Sequence, residues 1–264
     1  MLIPNFAIRW YRRFVNQRSG SAVVLLYHRL IDDGQPDPER LGISSELFGS
    51  HLAMIAESFA TPSLSEICEA LRTGARLPRS SVCITFDDGY RDNFEKALPL
   101  LECHHIPATF FVATLPFEKK LFFWDEGVHS EAEAANLYVD EKLLSRTAQN
   151  PLVTIGAHTH SHQRLSELSP AEARADIQHN VDLLTQVCGC RPELFSYPFG
   201  DPESYTPEIV DVIRSFGFAG AFTTTFGTVH RRRDPALLMR YCSPERTADE
   251  LYVALQEYFG DTLY

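Results

Sequence analysis

The feature that most constrains this chain is a recurrence of short apolar segments, mostly separated by stretches with helical periodicity. Val23–Tyr27, Val82–Phe86, Ala108–Val112, Val153–Ala157, Leu194–Tyr197, Ala219–Thr225 and Leu237–Tyr241 all read as strands. Helices are expected near Glu46–Ser58, Leu64–Arg72, Arg91–Cys103, Glu131–Arg146 and Pro170–Val187, then from Pro207 and after Thr247. Such alternation implies parallel strands with helices packed outside them. No glycine-rich phosphate loop follows the first strand, so closure into a barrel is favoured over an open nucleotide-binding sheet. A parallel barrel gathers its chemistry at the C-terminal ends of its strands. His28, Asp87 and Asp88, His158 and His162, and the turn Ser196–Gly200 all fall there.

Local signals support these elements. Ser63 with Glu66, Ser169 with Glu172 and Thr247 with Glu250 have capping-box spacing, and Gly74 stops the helix before it. Pro99 lies inside a helical stretch and should kink or shorten it. The segment Leu115–Asn150 is less regular, carries Phe122-Phe123-Trp124, and is expected to shape a substrate groove. The net charge of −11 argues against a nucleic-acid partner, which would need basic excess. Six cysteines are scattered without zinc-ribbon spacing and read as buried thiols in a reducing, cytoplasmic setting.

Residues 1–31 run against the acidic balance, with five arginines and no acid. Ile3, Phe6, Ala7, Trp10, Tyr11 and Phe14 recur at helical spacing, so residues 1–20 read as a basic amphipathic helix. That helix either docks on the protein body or lies against an anionic membrane surface. Residues 21–264 form the barrel domain.

Two stretches carry chemistry. In Thr85-Phe86-Asp87-Asp88-Gly89-Tyr90, adjacent carboxylates end a strand. Neighbouring side chains there point to different sides, so one can hold a metal while the other takes a proton. A lone Asp before a helix would be an ordinary N-cap. In His158-Thr159-His160-Ser161-His162, the outer histidines are four apart, a spacing that lets both imidazoles reach one ion. His160 need not be a ligand. Two histidines and a carboxylate with open positions for water suit hydrolysis.

Together, TFDDGY and HTHSH resemble the polysaccharide deacetylase family, also called the NodB homology domain or carbohydrate esterase family 4. The likeness extends from about Val23 to Tyr241. It implies a distorted (β/α)7 barrel and removal of N- or O-acetyl groups with one divalent metal, zinc first, with cobalt or nickel as alternatives. It implies Asp87 as catalytic base and Asp88, His158 and His162 as metal ligands, with a metal-held water attacking the acetyl carbonyl. The family's third motif is normally Arg-Pro-Pro-Tyr-Gly. Here it reads Ser196-Tyr197-Pro198-Phe199-Gly200, so the arginine that orients the base is missing. Phe199 still supplies the backbone N–H expected to steady the oxyanion, a donor worth about 3 kcal/mol in other enzymes.

The downstream Leu-x-His is absent too, but Leu26-Tyr27-His28 has that pattern at the end of the first strand. This resembles the circularly permuted branch that includes poly-N-acetylglucosamine deacetylases, and makes His28 the candidate acid for the leaving amine. Arg240, on the last strand, is the candidate substitute for the missing arginine, with a structural role at the barrel rim as the alternative. Tyr197, Trp124 and Arg240 are grouped as substrate-side candidates. The expected function is deacetylation of an N-acetylated glycan or glycan precursor, at the cytoplasmic face of a membrane if residues 1–20 bind it. A catalytically silent sugar-binding relative, an O-acetyl esterase and a small-amide hydrolase are the alternatives.

Overall fold

The computed structural model describes residues 20–31, 37, 40–118, 137–242 and 246–260. The basic helix expected over residues 1–20 (all but Gly20), the aromatic patch with Trp124, and half of the segment expected to shape the groove lie outside them. Among the described residues the strands are β1 (Ala22–Tyr27), β2 (Arg29–Ile31), β3 (Gly42–Ser44), β4 (Ser81–Phe86), β5 (Ala108–Val112), β6 (Val153–Ala157), β7 (Leu194–Ser196), β8 (Gly220–Phe222) and β9 (Tyr241–Cys242). The helices are α1 (Ser45–Ser58), α2 (Leu64–Thr73), α3 (Leu98–His104), α4 (Glu141–Thr147), α5 (Pro170–Cys188), α6 (Pro207–Phe216) and α7 (Ala248–Gly260). No helix among the described residues is long and apolar enough to cross a membrane.

Seven strands pair in parallel in the order β8-β7-β6-β5-β4-β1-β9, while β2 and β3 make a small separate pair. The segment from Leu238 to Cys242 closes the ring. Leu238 bridges Phe222 in β8, and Tyr241 and Cys242 pair with Leu25 and Leu26 in β1. The result is a distorted seven-stranded (β/α) barrel. Sharing one short segment between two neighbours explains why Leu237–Tyr241 is not one regular strand. Its first part bonds to β8 and only its end to β1.

Both expected capping boxes in the first two thirds of the chain form, at Ser63–Glu66 and Ser169–Glu172, each cap contributing about 1 kcal/mol. Thr247 and Glu250 cap α7 reciprocally. Pro99 does not shorten its helix: helical residues run without a break from Arg91 to His104, and a five-residue π turn, Asn93–Ala97, lies just before the α-helical turn that holds Pro99. Of the helix expected over Glu131–Arg146, residues 131–136 lie outside the described residues, and the described part holds a helix from Glu141 to Thr147, capped by Asp140. Of the cysteines, Cys68, Cys83 and Cys188 are buried, but Cys103 and Cys190 are exposed, so the reading of all six as core thiols is corrected. Cys103 lies in the last turn of α3 and Cys190 just past α5, both at helix ends that face solvent.

Strand alternation then decides what reaches the barrel mouth. Val23, Leu25 and Tyr27 of β1, with Val82, Ile84 and Phe86 of β4, pack outward in the main core against the helices. Ala22, Val24 and Cys83, with Phe111, Leu194, Phe222 and Leu238, fill the interior in a separate cluster. Strands buried on both faces read as continuous apolar runs, as these do. Extending the inward parity by two residues at a time leads from Val24 and Leu26 to His28, from Cys83 and Thr85 to Asp87, and from Leu194 to Ser196. Gly156 keeps the inside passable, because a Cβ there would sit 2.4 Å from the Phe111 ring. His158 follows it on the same parity.

Candidate active site

At the mouth, a pocket of about 470 Å³ is lined by His28, Asp87, Asp88, His158, His162 and Phe199, with Leu26, Leu41, Asp201, Thr224 and Cys242 around them. Its size falls within the roughly 300–1,000 Å³ of small-molecule sites. Asp87 arrives by parity. Asp88 would then point away, but its backbone takes a left-handed φ of 72° and brings the carboxylate back to the same mouth. Thr159, His162 and Phe199 are also left-handed, at 62°, 56° and 62°. Non-glycine residues held in this region cost about 1–3 kcal/mol each and persist where surrounding bonds over-determine them. Here Thr159 Oγ1 accepts the N–H of His162, and Thr224 donates its hydroxyl to the Phe199 carbonyl.

Three atoms converge. Asp88 Oδ1 lies 3.2 Å from His158 Nε2 and 3.0 Å from His162 Nε2, and the two ring nitrogens are 3.1 Å apart. His158 Nδ1 donates to the Ser196 carbonyl at 2.8 Å; a carbonyl only accepts, so Nδ1 carries the hydrogen and Nε2 turns to the site. The backbone N–H of His158 is held by Asn180 Oδ1 on α5, and Asn180 donates onward to the Val112 carbonyl and Thr114 Oγ1. Three lone-pair atoms this close need a proton or a cation among them. Two imidazoles and a carboxylate, one imidazole oriented by a carbonyl behind it, fit a borderline divalent ion such as zinc.

Asp87 has different company. Arg240 donates to both its oxygens at 2.7 Å, and Ser196 Oγ donates to Oδ2 at 3.0 Å. Arg240 also donates to Ser196 Oγ and to the Thr223 carbonyl, and its side chain is fully buried. Asp87 Oδ2 stays 3.8 Å from His158 Nε2. Burial would raise the Asp87 carboxyl, but the Arg240 guanidinium, then His158 and His28, hold it below the usual carboxylate range. Burial opposes ionisation of Asp88 as well, and His162 and His158 overcome it, leaving Asp88 well below that range. His158 is raised despite burial by Asp87 and Asp88, whereas burial leaves His162 lowered.

The structure therefore brings His28, Asp87, Asp88, His158, His162 and Phe199 to one pocket. It removes two residues from the substrate side. Tyr197 has the outward parity of β7, is 1% exposed, and donates its hydroxyl to the Ala236 carbonyl in the core. Arg240 lies behind Asp87, not at the surface of the pocket, so it can orient that carboxylate but not touch a sugar. Trp124 lies outside the described residues. Sequence reasoning gave no role to Ser196 or Asn180. Ser196 was legible by parity from Leu194, and Asn180 as a polar residue among Ile177, Val181 and Leu184 on the buried face of α5.

A family model described as polysaccharide deacetylase matches residues 74–221. The chain belongs to the polysaccharide deacetylase family. The matched stretch holds Asp87, Asp88, His158, His162 and Ser196–Gly200, while His28 and Arg240 lie beyond it. Among similar deacetylases, a poly-beta-1,6-N-acetyl-D-glucosamine N-deacetylase of Escherichia coli is 31% identical over 238 residues, covering 78% of this chain and 34% of that protein. The chain thus spans about a third of that relative's length. In fold, the Streptococcus pyogenes deacetylase PplD, solved in complex with acetate, superposes with a TM-score of 0.75 at 21% identity, over 90% of this chain and 99% of that one. IcaB from Ammonifex degensii gives 0.73 at 23% identity, over 90% and 97%.

Proposed function

We propose that this deacetylase-family protein is a metal-dependent N-deacetylase acting on an N-acetylated glucosamine polymer or its precursor. The observation that carries the reading is the convergence of Asp88, His158 and His162 within 3.2 Å, beside a separately held carboxylate, Asp87. The fold of the barrel and the substrate named for the Escherichia coli relative support it.

Asp88 Oδ1, His158 Nε2 and His162 Nε2 would hold the ion, which supplies Lewis acidity towards a carbonyl and a water. Asp87 accepts the proton of the attacking water. Its bidentate bond to Arg240 fixes the carboxylate plane and keeps it ionised, so it is ready as a base across the neutral range. Arg240, just before β9, would thereby do what the missing arginine of the third motif does, which weighs against a silent sugar binder. His28, across the pocket on the β1 parity, donates a proton to the departing amine. The Phe199 N–H, set by its left-handed turn and by Arg164 stacked 4.3 Å above its ring, steadies the developing oxyanion. Membrane contact through residues 1–20 is a separate proposal, and deletion of those residues should release the protein from membrane fractions.

Acetate release from β-1,6-linked N-acetylglucosamine oligomers, compared with an acetylated xylan fragment, is the direct test. Preferential release from the glucosamine oligomer supports the reading. Release only from xylan would make the protein an ester hydrolase. No release from either by metal-loaded protein would return the silent binder.

A further inference from the structure

His160, the middle histidine of the motif, does not line the pocket. Its backbone N–H donates to Asp176 Oδ2 on α5, its carbonyl accepts from Leu115 N, and its Nδ1 meets Thr114 Oγ1 at 3.1 Å. Its Nε2 then lies 3.5 Å from Glu118 Oε1, and His179 Nε2, one turn along α5 from Asp176, lies 3.6 Å from the same oxygen. The two rings meet edge to face with centroids 4.2 Å apart. The three donor atoms lie within 4.8 Å of one another.

These separations are too long for good hydrogen bonds. They are short enough for three ligands to share one ion. Two imidazoles and a carboxylate, on a face reached by solvent, make a donor set suited to zinc, copper or nickel with water completing the shell. We propose that Glu118, His160 and His179 form a second, weaker divalent-cation site on the outer side of the loop that carries His158 and His162. The ion ties together three pieces: the turn ending at Glu118, the histidine loop and α5. It binds more weakly than the pocket site because Glu118 and His179 are exposed by 37% and 49% and must be ordered on binding, whereas the pocket ligands are buried and already in contact.

The site stands apart from the catalytic reading, and one set of measurements separates the two. The full chain is stripped with a chelator and dialysed against increasing Zn²⁺, and bound zinc is measured. Wild type should take up one tight equivalent and then a second, weaker one. His179→Ala and, independently, Glu118→Gln should keep the tight equivalent and weaken the second by about a hundredfold or more, since losing even an outer partner of a ligand costs 10–100-fold. The His158→Ala/His162→Ala variant should show the reverse, retaining only the weak equivalent. Uptake that stops at one equivalent in wild type overturns the proposal, as does a second equivalent unchanged in both His179→Ala and Glu118→Gln. Loss of zinc binding in the pocket variant alone bears on the catalytic reading and leaves this site standing.

Discussion

Asp87 and Asp88 are neighbours, 3% and 4% exposed, at the end of the same strand, yet they face opposite electrostatic company. Asp87 is closed off by a permanent cation: Arg240 takes both oxygens, and Ser196 takes one of them again. Asp88 faces two imidazoles that carry charge only when protonated. One carboxylate has a fixed cation beside it and the other shares its place with two imidazole nitrogens. A buried carboxylate with a fixed partner can serve as an oriented base, while one grouped with imidazole lone pairs calls for an ion. The single residue step between them, made with a left-handed φ at Asp88, is what gives one dipeptide two different sets of partners.

On the proposed metal-dependent reading, removing the ion should have the largest effect, and it acts on the Asp88 side alone. Chelation, or the His158→Ala/His162→Ala pair, should lower acetate release by about 10⁴-fold or more. Adding back zinc, cobalt or nickel should restore the chelated wild type but not the double variant. Asp87→Asn comes next. It should lower kcat by about 10²–10⁴-fold while elemental analysis still finds bound metal. If metal is lost with Asp87→Asn, the two carboxylates are not divided as their surroundings indicate.

The division was only half legible in the sequence. The Asp87-Asp88 and His158–His162 segments each place their groups within a few residues, so local spacing and the strand before them suffice. The barrel was legible for the same reason, since each strand and helix announces itself through periodicity and caps. The partner of Asp87 comes from 153 residues away, across the closure between β1 and β9; Arg240 could be named for that place only from the family's missing arginine, since no local pattern encodes such a contact. Placing Tyr197 and Arg240 beside the substrate failed for a related reason. Both sit near strand ends, but alternation sends Tyr197 outward into the helix layer, and Arg240 is consumed by Asp87. Applying the two-residue period beyond the strand ends would have separated Ser196 from Tyr197.

Arg240→Met sharpens the comparison from the Asp87 side. It leaves a buried carboxylate without its cation, which costs about 3–5 kcal/mol of folding stability. Asp87→Asn in the same background should recover much of that loss, measured by denaturant unfolding as a double-mutant cycle. The pH dependence has a definite sign. Arg240 holds the folded-state pKa of Asp87 below its unfolded value, so the pair stabilises above the ordinary aspartate pKa of about 4 and loses that contribution as pH falls through the folded value. Without Arg240, burial prevails and the carboxyl rises. The acid limb of kcat/KM should therefore move to higher pH in Arg240→Met, provided the variant is metal-loaded.

Ser196→Ala should have the smallest effect, and it tests whether the two sides are coupled. The Ser196 hydroxyl serves only the Asp87 side, donating to Oδ2 and accepting from Arg240, while its carbonyl serves the Asp88 side by taking the Nδ1–H of His158. Alanine removes the first and keeps the second. A hydrogen bond to a charged group is worth about 1.5–3 kcal/mol, but the bidentate arginine remains to hold the carboxylate, so kcat should fall by no more than about tenfold with zinc affinity unchanged. A fall in zinc affinity comparable to the fall in kcat would mean that the hydroxyl also sets the position of the β7 carbonyl. The base and the metal ligands would then be one mechanical unit joined through Ser196, and the contrast between the two carboxylates would be one of charge alone.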